Sequence, residues 1–491
     1  MTFDPLAILV FCLAAALYAG LLPARWRGWF LLAGSIVAVY WLQPALPIRF
    51  SDNILPSVTV GLAILAWWFT RRQDDPEQQA FLAQDRRTLL LVIGLVVGLS
   101  LMRYVDAAFR ITPSRPPSPL AVAAAILFAA GLLLVLLRLS QSIVARDQRG
   151  LLTGFILLIL AIFVVLKWPL AAEALARWWR GLTDQDITLA SPIDLSWLGF
   201  SFVAFRLIHT MRDRQSGILP ALSLREYLSY VLFFTAYIAG PIDRAERFRG
   251  DYRALPDLDG WAAGRWGQGI WRIVQGLFKK FVLADLLAQG LSLTADHVVQ
   301  ADSSLGLWLL LYGYALRLFF DFAGYTDIAI GIGQLFGIHL PENFIRPYLK
   351  NNITAFWQSW HATLSNWARF YIFTPLSRWL LKRSWRPPPV VIVLTAQLAT
   401  MIFIGLWHGI SLNYFIWGAW HGLALFVHKQ WSDRTRKWYR RLGDKPYRRR
   451  AWHVAGWFLT FNYVTLGWVW FALPSVGLSL QAFGKLLGIG I

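Results

Sequence analysis

The sequence predicts an all-α, polytopic transmembrane protein. Apolar residues make up 57% of the 491 residues and charged residues only 15%, whereas soluble domains carry about 25% charged residues. Runs of about 20 apolar residues, the length that crosses a hydrocarbon core of about 30 Å, recur from end to end. Because backbone polar groups in lipid must be paired within the protein, these runs are expected to be helices. They leave no stretch for a large soluble domain.

Seven such runs occupy the first half of the chain, and each is predicted to be a transmembrane helix. They are 5–22, 29–46, 54–70, 88–105, 119–137, 151–168 and 191–208. The first run has no basic segment before it and no clear cleavage site after it, so we interpret it as a retained span. The only cysteine, Cys12, lies in this run, which excludes an internal disulfide and a cysteine-based metal site.

The net charge of +20 is explained by the loops of a membrane protein rather than by a nucleic-acid partner. Alternate loops (23–28, 71–87, 138–149 and 210–215) hold 11 Arg and Lys, against 5 in the loops between them (47–53, 106–118 and 169–190). Cytoplasmic loops are enriched in these residues, so the N-terminus is expected outside. The densest basic segment, 429–450, is predicted to be a cytoplasmic loop that faces anionic membrane lipids. The alternative is that it docks an acidic partner such as an acyl carrier protein.

Polar content divides the chain into two predicted parts. Spans within 1–190 consist mainly of Leu, Ala, Val, Ile and Gly, whereas apolar runs in 191–491 contain Asp, Asn, His, Arg and Gln and are broken by Gly and Pro. Interrupted segments are tolerated at membrane depth only when they are buried in protein or line a wet cavity. We therefore expect N-terminal transmembrane helices over 1–190 and a catalytic core over 191–491.

The tripeptide Trp-His-Gly occurs twice in strongly apolar sequence, at 407–409 and 420–422. An ionisable side chain inside a membrane is a functional candidate, and the unperturbed pKa of histidine, about 6.5, suits proton transfer. We expect the chain to cross over 390–407, turn and return over 414–428, which places His408 toward the outer half of the membrane. His421 is interpreted as a packing residue that bonds a backbone carbonyl or a neighbouring indole.

Two further polar clusters precede these histidines. The segment 356–367 contains Trp360 and His361, and the segment 318–327 contains Asp321 and Asp327. A buried carboxylate needs a partner, and we expect Arg317, a backbone amide or Tyr325 to supply it. No compact metal-ligand spacing is present, so we expect neither a metal site nor a bound cofactor.

Six motifs, taken together and in this order, resemble the bacterial branch of the membrane-bound O-acyltransferase (MBOAT) family. They are AGPIDR (239–244), GLFKKFVLAD (276–285), FDFAGYTD (320–327), PENF (341–344), the FW, WH and LS pairs of 356–365, and WHG (407–409). The resemblance extends over about 194–473. It implies a ring of helices around a central tunnel, with His408 as the catalytic residue and His361 at the second functional position. It also implies an acyl thioester donor, acyl-CoA or acyl carrier protein, that arrives from the cytoplasm, and an acceptor hydroxyl that arrives from outside.

The predicted reaction moves an acyl group, for which we favour acetyl, to a hydroxyl of an exported or cell-envelope polysaccharide at the bacterial inner membrane. His408 would act as general base, and His361 would either polarise the acyl carbonyl or orient the acceptor. The remaining candidate substrate-binding residues are Trp360, Asn413, Asp321 and Asn343. Of the side chains named, His361, Trp360 and Asn413 are also candidate donors to the oxyanion.

Three alternatives stay open at this point. The first is D-alanyl transfer toward teichoic acid. The second is a proton-coupled transporter or flippase, since titratable residues in membranes also mark proton paths. The third is a scaffold that anchors an extracytoplasmic acyltransferase partner.

Overall fold

The computed structural model describes residues 5–72, 75–385, 387–441 and 446–490, with the side chains of 132–147 outside the description. Regular structure in these ranges is helical, which confirms the predicted all-α class. The α-helices are α1 Pro5–Gly20, α2 Arg27–Trp41, α3 Ser51–Thr70, α4 Pro76–Ala80, α5 Leu82–Ser100, α6 Pro119–Lys167, α7 Pro169–Leu182, α8 Phe200–Gln215, α9 Leu224–Leu232, α10 Phe234–Tyr237, α11 Ala245–Ala254, α12 Ala263–Leu277, α13 Asp285–Ala288, α14 Ala295–Gln300, α15 Ser304–Leu335, α16 Ile353–Trp357, α17 Ala362–Ala368, α18 Thr374–Leu381, α19 Pro389–His408, α20 Leu412–Arg441, α21 Pro446–Ala472 and α22 Val476–Leu486. Two π-helical turns, Phe278–Ala284 and Arg369–Phe373, precede α13 and α18.

Several helices in the described ranges have the length and composition of membrane spans. Five reach a full span: Ser51–Thr70, Leu82–Tyr104, Gln148–Lys167, Ser304–Leu335 and Pro389–His408. Two shorter apolar helices are Pro5–Gly20 and Pro119–Gly131. The transmembrane class is therefore confirmed, while the ring of helices around a tunnel stays a prediction.

Two predicted spans, 119–137 and 151–168, are parts of the single helix α6, and the loop predicted between them is wrong. The intervening residues 138–149 contain neither Gly nor Pro, and their Arg, Leu, Gln and Ala residues favour a helix in water as well as in lipid. At 1.5 Å per residue, α6 is about 74 Å long, more than twice a hydrocarbon core. The comparison of Arg and Lys between alternate loops, from which we expected the N-terminus outside, thereby loses one of its four basic loops, 138–149.

The span predicted over 191–208 is also misplaced. Pro192–Leu195 is a short 3₁₀ turn, started by a capping box of Ser191 and Asp194, and α8 begins only at Phe200. Gly199 separates the two because its φ of +73° is left-handed and because a Cβ there would lie 2.8 Å from the Tyr237 carbonyl oxygen. Most of α8 is buried, so this helix is a core element of its unit rather than a lipid-facing span.

The basic segment 429–450 is not a loop in its described part. It consists of the end of α20, as far as Arg441, and the start of α21, from Pro446. Long basic side chains and tryptophans continue a helix readily, and proline is well placed in a first turn. Asp444 and Lys445, which belong to the predicted loop, lie outside the described residues.

The chain forms two compact units that do not divide at residue 190. One comprises Met1–Trp271 with Ala329–Leu340, and the other comprises Arg272–Ile328 with Pro341–Ile491. In the first unit α8 packs against α3 and α6, and the buried Arg206 donates to the carbonyls of Val231 and Ala236 at 2.9 and 2.6 Å. The predicted boundary rested on polar content rather than on packing, so a catalytic core over 191–491 stays a prediction.

The second unit contains the hairpin of α19 and α20, with the turn at 409–411 that the sequence predicted. Glycines let the two helices touch through their backbones, as in many membrane helix pairs. A Cβ at Gly405 would lie 2.2 Å from the Tyr414 carbonyl oxygen, and one at Gly418 would lie 2.5 Å from that of Met401. Gly422, one turn beyond Gly418, faces Leu398 in the same way. This contact holds His408 at the end of the hairpin.

Gly418→Ala should therefore destabilise the protein, because its methyl group must push α20 away from α19. We expect the free energy of unfolding to fall by about 1–3 kcal/mol, measured as a lower thermal melting temperature in detergent. Gly477→Ala is the matched control, since a Cβ there meets no heavy atom within 4 Å. Equal melting temperatures for both variants would contradict this account of the hairpin.

Candidate active site

His361 is buried in the second unit and has a strained backbone. It directly precedes α17 with φ +43° and ψ +50°, a left-handed conformation that costs a residue with a side chain about 1–3 kcal/mol. Two backbone hydrogen bonds hold the chain in this shape: Ala362 N–H donates to the Asn343 carbonyl at 2.8 Å, and Ile345 N–H donates to that of Ser359 at 3.0 Å. The imidazole is 3% exposed. Strain that persists in a buried polar residue is typical of a functional position.

Asn343 fixes the tautomer of this imidazole. Its side-chain oxygen Oδ1 accepts from the backbone N–H and the hydroxyl of Thr363 at 3.2 and 2.8 Å, and it lies 3.1 Å from Nδ1 of His361. Because the Thr363 N–H can only donate, the amide atom that faces it must be the oxygen. Nδ1 of His361 must then carry the proton, which makes Nε2 a hydrogen-bond acceptor in the neutral ring.

The amide nitrogen of Asn343 points to a second role. Asn343 is fully buried, and its Nδ2 has no hydrogen-bond partner within the described part of the chain. A buried amide donor is normally satisfied, because leaving it unpaired costs about 1–3 kcal/mol. Nδ2 is therefore a candidate donor to a substrate, as the sequence suggested for this residue.

Aromatic rings enclose His361 and the neighbouring Trp360. The Phe322 ring centroid lies 4.8 Å from that of His361. Trp360 packs on Phe344 at 5.2 Å and on Trp468 at 5.0 Å. The Trp360 indole is thus part of the wall around His361, and its predicted contact with substrate stays a prediction.

His408 is brought close to His361 through one indole. The Trp407 ring centroid lies 6.0 Å from that of His361 and 4.6 Å from that of His408. On its other sides His408 contacts Phe471 at 4.8 Å and Trp417 at 5.6 Å, and it is only partly buried. The two predicted catalytic histidines therefore lie on one indole, one fully enclosed and the other accessible.

Asn413 lies near this hairpin turn, but its amide is used in packing. Its Nδ2 donates to the Leu473 carbonyl at 2.8 Å and to the Ser479 hydroxyl at 3.1 Å. These bonds join the start of α20 to the end of α21 and to α22. A donor role toward the oxyanion stays a prediction that this geometry does not support.

The carboxylates of 320–327 have other partners than those we expected. Asp321 pairs with Lys280. Asp327 pairs with Arg272 at 2.8 Å and Lys279 at 2.5 Å. Arg317, which we expected to pair with these carboxylates, instead donates to the Ser292 hydroxyl at 3.2 Å. Both lysines come from the π-helical turn within the GLFKKFVLAD motif. Two of the motifs are thus paired with each other: adjacent lysines face carboxylates six residues apart.

No three His, Cys, Asp or Glu side chains come together as metal ligands within the described ranges.

His421 is a packing residue, although not through the hydrogen bond that we expected. Its ring is fully buried and meets Trp357 at 5.1 Å and Trp417 at 5.0 Å, both near edge-to-face. Neither ring nitrogen has a hydrogen-bond partner in the described part of the chain. The two Trp-His-Gly motifs therefore place their imidazoles in different surroundings.

An ionic cluster in the first unit, with buried His209 and Asp213 and an exposed Arg244, was missed from the sequence. His209 and Asp213 lie 3.0 Å apart, and Arg244 of the AGPIDR motif lies 3.5 Å from the same carboxylate. Asp243 of that motif pairs with Arg247. The His-to-Asp spacing of four residues was the available signal, since such residues are neighbours on a helix. In this unit the Arg244–Asp213 pair links the residue before α11 to α8, and the Asp243–Arg247 pair lies at the start of α11.

Comparison with known proteins identifies the family of the chain. The family model of MBOAT, membrane-bound O-acyltransferase family, matches residues 121–469, which starts well before the region where we noted the resemblance. The chain is 34% identical over 300 residues to a probable alginate O-acetylase of Pseudomonas syringae, an alignment that covers 60% of this chain and 52% of that protein.

Two further relatives carry other names. A teichoic acid D-alanyltransferase of Streptococcus thermophilus is 33% identical over 57% of this chain and 68% of its own length. A peptidoglycan O-acetyltransferase of Helicobacter pylori is 33% identical over 57% of this chain and 52% of its own length. The match thus spans about half the length of the two O-acetylating relatives. Since the family model covers well over half of the sequence, the chain belongs to the membrane-bound O-acyltransferase family.

Proposed function

We propose that this protein transfers an acetyl group from a cytoplasmic thioester to a hydroxyl of an exported or cell-envelope polysaccharide at the bacterial inner membrane. The observation that carries this proposal is the pair of imidazoles on either side of Trp407, one accessible at the end of α19 and one positioned by Asn343. Relatives named for O-acetylation of alginate and peptidoglycan support the choice of an acetyl group and a glycan. The similar D-alanyltransferase keeps D-alanyl transfer as the alternative.

His408 is the general base in this mechanism. Its neutral imidazole takes the proton of the acceptor hydroxyl while the oxygen bonds to the acyl carbon, a contribution of about 10²- to 10⁴-fold. The carbon–sulfur bond then breaks, and the proton passes from His408 to the departing thiolate. His408 is the last residue of α19, where the helix dipole favours the imidazolium that forms between these steps.

His361 and Asn343 complete the site. With its proton on Nδ1, neutral His361 offers a lone pair at Nε2, which suits orienting the acceptor better than polarising the acyl carbonyl. A single hydroxyl has one proton, so two imidazole acceptors suit a sugar with neighbouring hydroxyls. The Asn343 Nδ2 group, without a partner in the described residues, is then the donor for the oxyanion.

The donor is proposed to be acyl-CoA or an acyl carrier protein, which approaches from the cytoplasmic side. The basic ends of α20 and α21 mark that side, since cytoplasmic segments are enriched in Arg and Lys. α20 begins four residues after His408 and runs through to Arg441, so His408 lies at the opposite end of the hairpin from these charges. This arrangement supports an acceptor that reaches His408 from outside and then meets an extracytoplasmic acyltransferase partner.

His408→Ala and His361→Ala should abolish glycan acylation, whereas His421→Leu should retain it because His421 only packs between indoles. The measurement is mass spectrometry of envelope glycans from gene-deleted cells that carry each variant, with membrane insertion checked by immunoblot. We expect losses of about 10²-fold or more for the first two variants. The mass added to the glycan separates acetyl from D-alanyl transfer. Normal acylation in His408→Ala cells would refute the base assignment, and movement of unmodified glycan would favour a transporter.

Asn343→Asp and Asn343→Ala separate the two roles of Asn343. The aspartate keeps an oxygen for Thr363 and His361 but has no N–H to donate, so kcat should fall about 10²-fold with little change in KM. The alanine loses the acceptor as well, and its melting temperature should also fall. These values would be measured with a labelled thioester donor and purified protein. Full kcat in Asn343→Asp would remove Nδ2 from the oxyanion site.

The Lys280–Asp321 pair allows a charge-swap test of the predicted substrate role of Asp321. Asp321→Lys alone should reduce the yield of folded protein because it places two cations together, and adding Lys280→Asp should restore folding. Pairing accounts for the carboxylate if the double variant also regains glycan acylation, which we expect. Recovery of folding without acylation would instead show that Asp321 acts on substrate.

A further inference from the structure

A cleft with two cationic side chains lies beside the first turns of α21. It has a volume of about 380 Å³, and its polar lining consists of Lys350, Asn351, Arg450 and His453, with Trp457 and two aliphatic side chains completing it. No carboxylate lines it, and neither Lys350 nor Arg450 forms an ion pair with any residue that the structure describes. Two unneutralised cations in one cleft favour an anion.

The walls of the cleft are built rather than loosely apposed. Trp457 Nε1 donates to the Tyr348 carbonyl at 2.9 Å, and the Asn351 amide contacts the His453 ring. Gly456 permits this approach, because a Cβ there would lie 2.5 Å from the Asn351 carbonyl oxygen. The segment that carries Lys350 is thereby fixed against α21.

The surroundings have the character of a membrane interface. Trp431, Trp438 and Trp452 are exposed, and the Trp452 ring contacts those of Trp431 and Trp438, with centroids 6.5 and 5.0 Å apart. Tryptophan is enriched at this level of membrane proteins. Further along α21, Phe458 and Leu459 are 62% and 70% exposed, as expected of side chains that face acyl chains. The cleft therefore lies between a basic, cytoplasmic end and a lipid-facing surface.

We propose that this cleft binds the phosphate headgroup of an anionic phospholipid of the cytoplasmic leaflet. Lys350 and Arg450 contact the phosphate, the second N–H of the Asn351 amide contacts an ester oxygen, and the acyl chains follow Val454 and Phe458. His453 is held by Asn351 and Tyr439 and forms part of the wall. Val454 and Phe458 are exposed beside the cleft, and these apolar side chains suit acyl chains, which neither a free phosphate nor an acidic protein surface supplies. The proposal is independent of the transfer reaction, so either can fail alone.

The test compares lipid retention by the full-length protein from nanodiscs of phosphatidylcholine with a minor fraction of phosphatidylglycerol, read by native mass spectrometry. One cation near an anionic lipid surface contributes about fivefold to binding, so Lys350→Ala/Arg450→Ala should bind phosphatidylglycerol about 30-fold more weakly. The control, Arg434→Ala/Arg436→Ala, removes the same charge from exposed positions outside the cleft. Lys350→Arg/Arg450→Lys keeps both charges and should retain the lipid.

Three results would overturn the proposal. The first is undiminished phosphatidylglycerol in the Lys350→Ala/Arg450→Ala variant, and the second is an equal loss in the Arg434→Ala/Arg436→Ala control. The third combines two observations. Inorganic phosphate displaces phosphatidylglycerol at the same concentration as the competitor glycerol phosphate, and phosphatidylcholine is retained as well as phosphatidylglycerol. That result would assign the cleft to a soluble phosphate. Selective retention of phosphatidylglycerol by the wild-type protein, by Lys350→Arg/Arg450→Lys and by Arg434→Ala/Arg436→Ala supports the proposal.

Discussion

The pairing of polar groups in apolar surroundings is the constraint that organises the second unit around His361, although the ring nitrogens of His421 and the Nδ2 group of Asn343 have no partner among the described residues. Water cannot complete a hydrogen bond at membrane depth, so an unpaired group there costs several kcal/mol. The side-chain oxygen of Asn343 accordingly accepts hydrogen bonds from the backbone N–H and the hydroxyl of Thr363 and from Nδ1 of His361. Lys280 meets Asp321 for the same reason. The strained backbone at His361 is tolerated because the hydrogen bonds around it would all be lost if it relaxed.

The sequence predicted those features that depend on local pattern. The hairpin of α19 and α20 follows from two apolar runs separated by Gly409 and Ser411, and the all-α class follows from hydropathy. α6 could not be recognised as one helix, because the drop in hydropathy at 138–149 was interpreted as a loop, whereas the backbone continues as a helix through it. The partners of Asp321 and Asp327 could not be predicted either, since they lie 41 to 55 residues away in the chain and no periodicity connects such positions.

The two Trp-His-Gly motifs show what a short motif does not determine. His408 ends a helix, so its ring projects beside a turn where it remains accessible, whereas His421 lies within α20 and is enclosed by Trp357 and Trp417. The glycine has a similar role in both motifs, because its missing side chain lets a neighbouring segment of the chain approach closely. The difference arises from the position of the histidine within its helix, which only the turn at 409–411 reveals.

The different burial of His361 and His408 supports the different steps proposed for them. A base must exchange its proton with another group after each turnover, and a fully enclosed ring whose Nδ1 is held by Asn343 has little freedom to do so. His408 is only partly buried at the end of α19, which suits the proposed base because that base must accept and release a proton in each turnover. His361 is rigid, and rigidity is what orientation of an acceptor requires, because misplacement by about 1 Å can reduce the rate 10²-fold. The indole of Trp407 contacts both rings, so each imidazole has its own place in the proposed mechanism.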